Sequence, residues 1–191
     1  MEPQIDARVT SFGYLGIGVK DIPAWKDFAA NVLGLMMAGE GADGATLLRM
    51  DEMSRRFMLY PTGEDDVLFY GYEVPGKAQL NAMEAKLKAN GVTCERASET
   101  EKKARAVVDM IHCQDPSGVR IEIFYGPEVE FHKPFKSERA ISGFVAGAQG
   151  LGHTVLSVPD VPAARHFYED ILGFLVSDFI ALPIGPQMTV D

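Results

Sequence analysis

The chain has 191 residues, enough for one ordinary domain, or one domain and part of another. Hydrophobic residues make up 47% and charged residues 24%, which excludes collagen-like and disordered chains. The net charge of −9 repels nucleic acid and anionic membrane, and no apolar run approaches the roughly 18 residues of a membrane span. The start, from Met1 to Asp6, lacks the basic and apolar regions of a secretory signal. Cys94 and Cys113 are the two cysteines, and neither sits in a metal-like pair; two thiols in such a chain fit a reducing cytoplasm.

The first unit reads as strand, turn, helix, stop. Leu15, Ile17 and Val19 alternate at strand period. Asp21 suits a helix cap and Pro23 the first turn. Trp25, Phe28, Ala29 and Val32 then recur on one helical face, and Gly34 suits the helix end. Short strands are predicted over 35–37, 46–50 and 56–60, separated by Gly39, Gly41, Gly44 and the Pro61-Thr62-Gly63 turn. This is one β-α-β-β-β unit. A second follows: a strand over 67–74, a helix over 77–90 with Leu80, Met83 and Leu87 at helical spacing, a stop at Gly91, and strands over 92–96, 106–113 and 119–125. Asp115-Pro116-Ser117-Gly118 predicts a turn between the last two strands.

A third unit repeats the first. The segment from Gly13 to Leu35 matches that from Gly152 to Phe174 without a gap, each residue meeting the one 139 further on. Gly13/Gly152, Val19/Val158, Asp21/Asp160, Pro23/Pro162, Phe28/Phe167, Leu33/Leu172 and Gly34/Gly173 are identical pairs. These positions are the punctuation of a strand–helix unit, so the match reads as duplication rather than chance. Thr154, Leu156 and Val158 predict its strand, Ala164, Phe167, Tyr168 and Ile171 its helix face, and 175–182 a second strand. The division expected is an arm over 1–12, a complete domain of two units over 13–130, a linker over 131–150, and the truncated start of another domain over 151–191. The fold class is α+β.

These residues resemble the vicinal oxygen chelate superfamily, built from paired βαβββ modules in the glyoxalase/bleomycin resistance/extradiol dioxygenase fold. Within it the chain is similar to the two-domain type I extradiol dioxygenases of the 2,3-dihydroxybiphenyl 1,2-dioxygenase kind. The run Leu151-Gly152-His153-Thr154-Val155-Leu156-Ser157-Val158-Pro159-Asp160 is the most specific match. Phe167-Tyr168, Leu172-Gly173-Phe174 and the stretch from Ser177 to Pro186 extend it, and 115–127 resemble the end of the family's first domain. The resemblance covers nearly the whole chain, and the family continues past residue 191.

The two copies differ most usefully at one place, Tyr14 in the first and His153 in the second. If Thr154, Leu156 and Val158 pack under the helix, then His153, Val155 and Ser157 face the other side of the sheet, concave where two modules pair. A neutral imidazole there binds a divalent metal, whereas a neutral tyrosine binds it poorly. The bland reading is a histidine hydrogen-bonded within a sheet. The resemblance reverses it, since His153 falls on the family's first iron ligand. The resemblance implies Fe(II) held by two His and one carboxylate, a catecholic substrate, O2, and cleavage of the ring next to the diol. The remaining ligands and the acid–base His would lie beyond Asp191, so the 191 residues alone are expected to bind iron weakly and be inactive. It also implies an apolar substrate pocket to which Val155, Ile180 and Leu182 contribute, with ordinary core as the alternative for all three.

The other candidates read as structural. His166 falls on a solvated helix face, His112 in a first-domain strand and His132 on the surface of the linker. Glu122 stands where metal-binding modules often carry a carboxylate; with Tyr14 as its partner that first-domain site reads as lost, and Glu122 is expected to pair with a cation. An unfinished third unit would leave sheet edges and an uncovered apolar helix face. The resulting expectation is a cytoplasmic, iron-dependent extradiol dioxygenase of aromatic catabolism, a homo-oligomer when full length. The alternative is a metal-free binding protein of the bleomycin-resistance type.

Overall fold

The computed structural model describes residues 5–177. Its sheet has eight strands in the order β2-β3-β4-β1-β5-β8-β7-β6. β1 (Ser11–Gly18), α1 (Ile22–Asp27), β2 (Met36–Glu40), β3 (Thr46–Arg49) and β4 (Phe57–Tyr60) form the first module. β5 (Asp66–Glu73), α2 (Lys77–Ala89), β6 (Cys94–Arg96), β7 (Val107–Gln114) and β8 (Arg120–Pro127) form the second. β1 runs parallel to β4, β5 parallel to β8, and β1 antiparallel to β5, so the two modules meet about a local two-fold at the centre of the sheet.

The punctuation read from the sequence builds the first helix. The Asp21 carboxylate accepts from the Ala24 amide at 2.9 Å, Pro23 sits in the first turn, and Gly34 closes the helix at φ 80°. Asp160, Pro162 and Gly173 do the same in the repeat, at 2.9 Å and φ 82°. The single helix expected in each copy is instead an α-helix that widens into a π-helical turn. α1 continues as Phe28–Leu33, and α4 (Val161–Arg165) as His166–Ile171.

The two copies nevertheless differ in which residues are covered. In the first copy Ala29 is buried, but Phe28 and Val32 are 42% and 51% exposed, although both were expected on the buried face. In the second copy Ala164, Phe167 and Ile171 are buried as expected. Phe167 and Ile171 join Phe12, Tyr70, Tyr72 and the α2 residues Leu80, Met83 and Leu87 in one cluster on the convex face of the sheet. The apolar face of α4 is therefore covered, contrary to expectation, because the first pair offers a ready apolar surface. Complete burial of a Leu or Met contributes roughly 1.5–3 kcal/mol, so this contact anchors the helix.

Two further differences have local causes. Residues 154–158 form no strand, because they lie beside none of the described strands and so have no ladder to join. The expected alternation survives only in part: Leu156 and Val158 are half-buried and His153, Val155 and Ser157 exposed, but Thr154, expected on the covered side, is exposed as well. A helix that periodicity does not suggest, α3 (Glu99–Arg105), lies between β6 and β7. Its start is a capping box, in which the Ser98 hydroxyl accepts from the Glu101 amide and the Glu101 carboxylate accepts from the Ser98 amide.

The segment between the first pair and the third unit has one 3-10 turn, Gly147–Gln149, and is otherwise irregular, as expected. Side chains pin it to the first module. Arg49, almost fully buried, donates to the carbonyls of Asp51, Met53 and Lys133, and Ser137 donates to the carbonyl of Gly34.

Candidate functional site

The concave face is built by β1 and β5. Tyr14 on β1 lies opposite Gly71 on β5, and Phe69 on β5 lies opposite Gly16 on β1. Each ring covers the facing glycine, where a β-carbon would come within 2.2 Å of ring atoms. The local two-fold thus sets two aromatic side chains symmetrically in the floor. It sets a second pair beside them, because Gly16 pairs with Met58 on β4 and Gly71 with Glu122 on β8. Tyr14, Met58, Phe69 and Glu122 are all buried.

Glu122 is the one charged group among these four, and it is 0% exposed. The Tyr14 hydroxyl donates to Oε2 at 2.8 Å. Arg105, the last residue of α3, donates from Nε to Oε2 at 2.8 Å and from Nη2 to Oε1 at 3.1 Å. Arg120 donates to Oε1 at 2.9 Å. The Arg105 guanidinium also lies 3.9 Å above the Phe69 ring and donates to the Tyr60 hydroxyl at 2.9 Å. Burial is the strongest single influence and opposes its charge, but the Glu122 carboxylate, with Tyr60 and Tyr14 adding to it, holds the Arg105 pKa above its ordinary value. Burial, with Glu122 adding to it, raises the Tyr14 pKa well above the usual phenol range, so this hydroxyl stays protonated and donates. Glu122 pairs with cations as expected, and the Tyr14 hydroxyl and the Arg105 guanidinium take up the space beside it. The void left between Tyr14, Arg105 and Phe124 is about 10 Å³, room for about one water.

His153 lies outside this face, exposed on the extended stretch after Gly152. Its approach is fixed by the first pair. The Leu151 amide donates to the Phe12 carbonyl at 2.9 Å, the Val9 amide to the Leu172 carbonyl at 3.0 Å, and the Tyr168 hydroxyl to the Asp115 carboxylate at 2.8 Å. Val155, on the same side as His153, is 81% exposed. Ile180 and Leu182 lie outside the described residues.

The remaining histidines occupy structural or surface positions. His112 pairs across strands with Glu95 and Glu122, and its Nε2 lies 3.9 Å from the Glu101 carboxylate. His166 Nδ1 is 2.8 Å from Asp170 on an exposed face, and His132 is exposed. Among the described residues no group of three His, Cys, Asp or Glu side chains is placed to hold a metal ion. Of the iron site that the resemblance implies, the described residues therefore offer one candidate ligand, His153. Sequence reading missed Arg105. The Ser98-x-x-Glu101 spacing could have revealed α3, but no local pattern shows that its last residue enters the concave face.

Comparison with known proteins follows the same two copies. A family model described as dihydroxybiphenyl dioxygenase BphC D1 matches residues 12–62, and one for the Glyoxalase/Bleomycin resistance protein/Dioxygenase superfamily matches residues 150–189. The chain is 42% identical over 182 residues to the biphenyl-2,3-diol 1,2-dioxygenases of Pseudomonas sp. (strain KKS102) and Paraburkholderia xenovorans (strain LB400). It is 38% identical over 186 residues to a 1,2-dihydroxynaphthalene dioxygenase of Pseudomonas putida. These matches cover 95%, 95% and 97% of this chain, but 62%, 61% and 61% of the relatives. Among solved structures, a catechol 2,3-dioxygenase superposes with a TM-score of 0.84 at 38% identity, over 87% of this chain and 59% of that one. No described helix is long and apolar enough to cross a membrane.

Proposed function

From a chain that carries the fold and residue pattern of the extradiol dioxygenases, within the glyoxalase/bleomycin resistance protein/dioxygenase superfamily, we infer a part in O2-dependent cleavage of catecholic rings next to the diol. The chain spans about three fifths of the length of the relatives it matches, so the activity proposed is that of the natural polypeptide carrying these residues.

One observation carries the reading. In the folded first copy, the position equivalent to His153 is Tyr14, which points into the concave face and meets a carboxylate on the last strand of the pair. A histidine at that place in a second pair would face the same interior, where a neutral imidazole suits a divalent transition metal. We assign His153 as one ligand of the Fe(II) that this chemistry calls for. The backbone bonds that tie Leu151 and Leu172 to the N-terminal arm hold the two ends of its strand–helix unit, which supports a fixed position for this unit. The division into an arm over 1–12, a non-metal pair over 13–130, a linker over 131–150 and the start of a metal-bearing domain at 151 belongs to the same reading. So do Val155, Ile180 and Leu182 as apolar lining for a substrate ring, a cytoplasmic location and a homo-oligomeric assembly.

The first pair serves as scaffold rather than as a ligand trap. A sequestering protein needs an open concave face, and here Tyr14, Phe69, Phe124 and Arg105 fill it. The test is oxygen uptake by the natural polypeptide with Fe(II) and 2,3-dihydroxybiphenyl. Uptake that His153→Ala abolishes supports the reading. Uptake unchanged by His153→Ala, or tight binding of the diol with no oxygen consumed, overturns it.

A further inference from the structure

We propose that Arg105 holds the place of a metal ion in the first pair, so that this pair is complete in charge and closed to divalent cations. The proposal stands on the first pair alone and does not depend on the dioxygenase reading. The local two-fold converges four side chains on one spot, Tyr14 and Phe69 from the central strands and Met58 and Glu122 from the strands beside them. A spot enclosed by two strands from each module is where a cation would be held by the pair as a unit. Glu122 is the one charged group of the four, and a wholly buried carboxylate is costly unless a cation compensates it.

Arg105 supplies a cation from outside the sheet, beside Arg120 of β8, whose Nε lies 2.9 Å from Oε1, and its own Nη1 also reaches the Asp43 carboxylate at 3.2 Å. Its two donors reach the two Glu122 oxygens at 2.8 and 3.1 Å, and its planar group covers Phe69 at 3.9 Å. One guanidinium thus touches two of the four converging positions, and the Tyr14 hydroxyl shares the Oε2 that Arg105 Nε engages. The chain is arranged to deliver it. α3 is fixed at its start by the Ser98–Glu101 capping box and held to the sheet by the Glu101–Arg120 pair at 2.8 Å. It ends at Ala106, which has φ 51° and is the one non-glycine residue with positive φ among those described. A left-handed alanine is uncommon and is kept where its surroundings enforce it. Here it turns the chain from α3 into β7 directly after Arg105 has entered the face.

Such a replacement has a functional consequence. A covalently tethered cation at this spot leaves the first pair nothing to load and no vacancy for a divalent ion to enter. Arginine suits the role because its guanidinium stays charged when buried and matches a carboxylate with two parallel bonds.

Cobalt(II) binding to the 191-residue chain tests the proposal. The variant Tyr14→His/Phe69→His, which keeps Arg105, is compared with Tyr14→His/Phe69→His/Arg105→Ala and with wild type. Equilibrium dialysis and visible d–d absorption are expected to show one additional Co(II) per chain when Arg105 is removed and none when it is kept. Equal gain with and without Arg105 overturns the proposal. So does a triple variant with wild-type far-UV circular dichroism that takes up no more Co(II) than wild type. Should the triple variant fail to fold, the thermal midpoints of Arg105→Lys and Arg105→Met decide. A higher midpoint for lysine, which keeps the charge, supports a cation at this spot, and equal midpoints overturn it.

Discussion

The Tyr14 ring lies directly over Gly71 on the neighbouring strand, where a β-carbon would meet ring atoms at 2.2 to 2.4 Å. This contact lets the two central strands carry large aromatic groups into one concave face. It follows that Gly71→Ala is not a mild change. The ring is held from the other side by Phe124, stacked at 4.7 Å, and by its bond to Glu122, so it has nowhere to move. The variant is expected to lose about 1–3 kcal/mol of stability by urea denaturation, the usual cost of overpacking a filled core. An unchanged midpoint would show that the floor of the face is looser than these distances.

The third unit's helix is expected to contribute to the stability of the first pair. Leu172 is 0% exposed, its neighbour Ile171 is 2% exposed, and both pack with Phe12, Tyr70 and Tyr72. Leu172→Ala therefore leaves a cavity in the main core and should cost about 2–5 kcal/mol in the unfolding of the whole chain. Phe28→Ala, at the outward position of the first copy, should cost far less, because that ring is 42% exposed. Equal effects of the two substitutions in parallel denaturation curves would mean that α4 is tethered rather than packed.

The repeat made most of this fold legible. Asp21, Pro23 and Gly34, with their partners Asp160, Pro162 and Gly173, mark helix ends by chemistry that needs no tertiary context, and the structure places each as read. Leu80, Met83 and Leu87 are wholly buried, as their spacing implied. Three things were hidden because they depend on what lies opposite. The exposure of Phe28 and Val32 is set by the absence of a described neighbour for that side of the helix, while the same positions in the second copy are covered by the first pair. The missing strand over 154–158 reflects pairing, which alternation cannot supply. Arg105 reaches Glu122 across 17 positions and the Tyr60 hydroxyl across 45, and no local signal encodes such contacts.

Cys94 and Cys113 face each other across β6 and β7, both free and both buried. Burial, with the neighbouring Cys94 adding to it, pushes the Cys113 thiol up to about 12. Since the thiolate is the reactive form, Cys113 should resist iodoacetamide in the native chain at neutral pH and react once urea unfolds it. Mass spectrometry of the alkylated peptides checks this. Rapid native labelling of Cys113 would contradict the packing of Phe167 and the sheet around it.

Glu101 gives the chain a pH dependence of definite sign. The Ser98 backbone amide lowers its pKa most; burial opposes this, and the Ser98 hydroxyl and Arg120 add to the lowering, which carries it from the ordinary 4.5 to about 2. The unfolded chain, where Glu101 regains its ordinary value, thus binds the proton more readily than the folded one. Stability from this group is full above about 4.5 and is lost as the pH falls through the interval down to about 2. Glu101→Gln preserves a side-chain acceptor for the capping box but removes the charge, so it isolates this effect. The variant should be less stable than wild type at neutral pH, and the two urea midpoints should converge as the pH approaches about 2. A difference that persists unchanged to that pH would assign the loss to the altered cap geometry, and Arg120 would then contribute nothing through its 2.8 Å pair with Glu101.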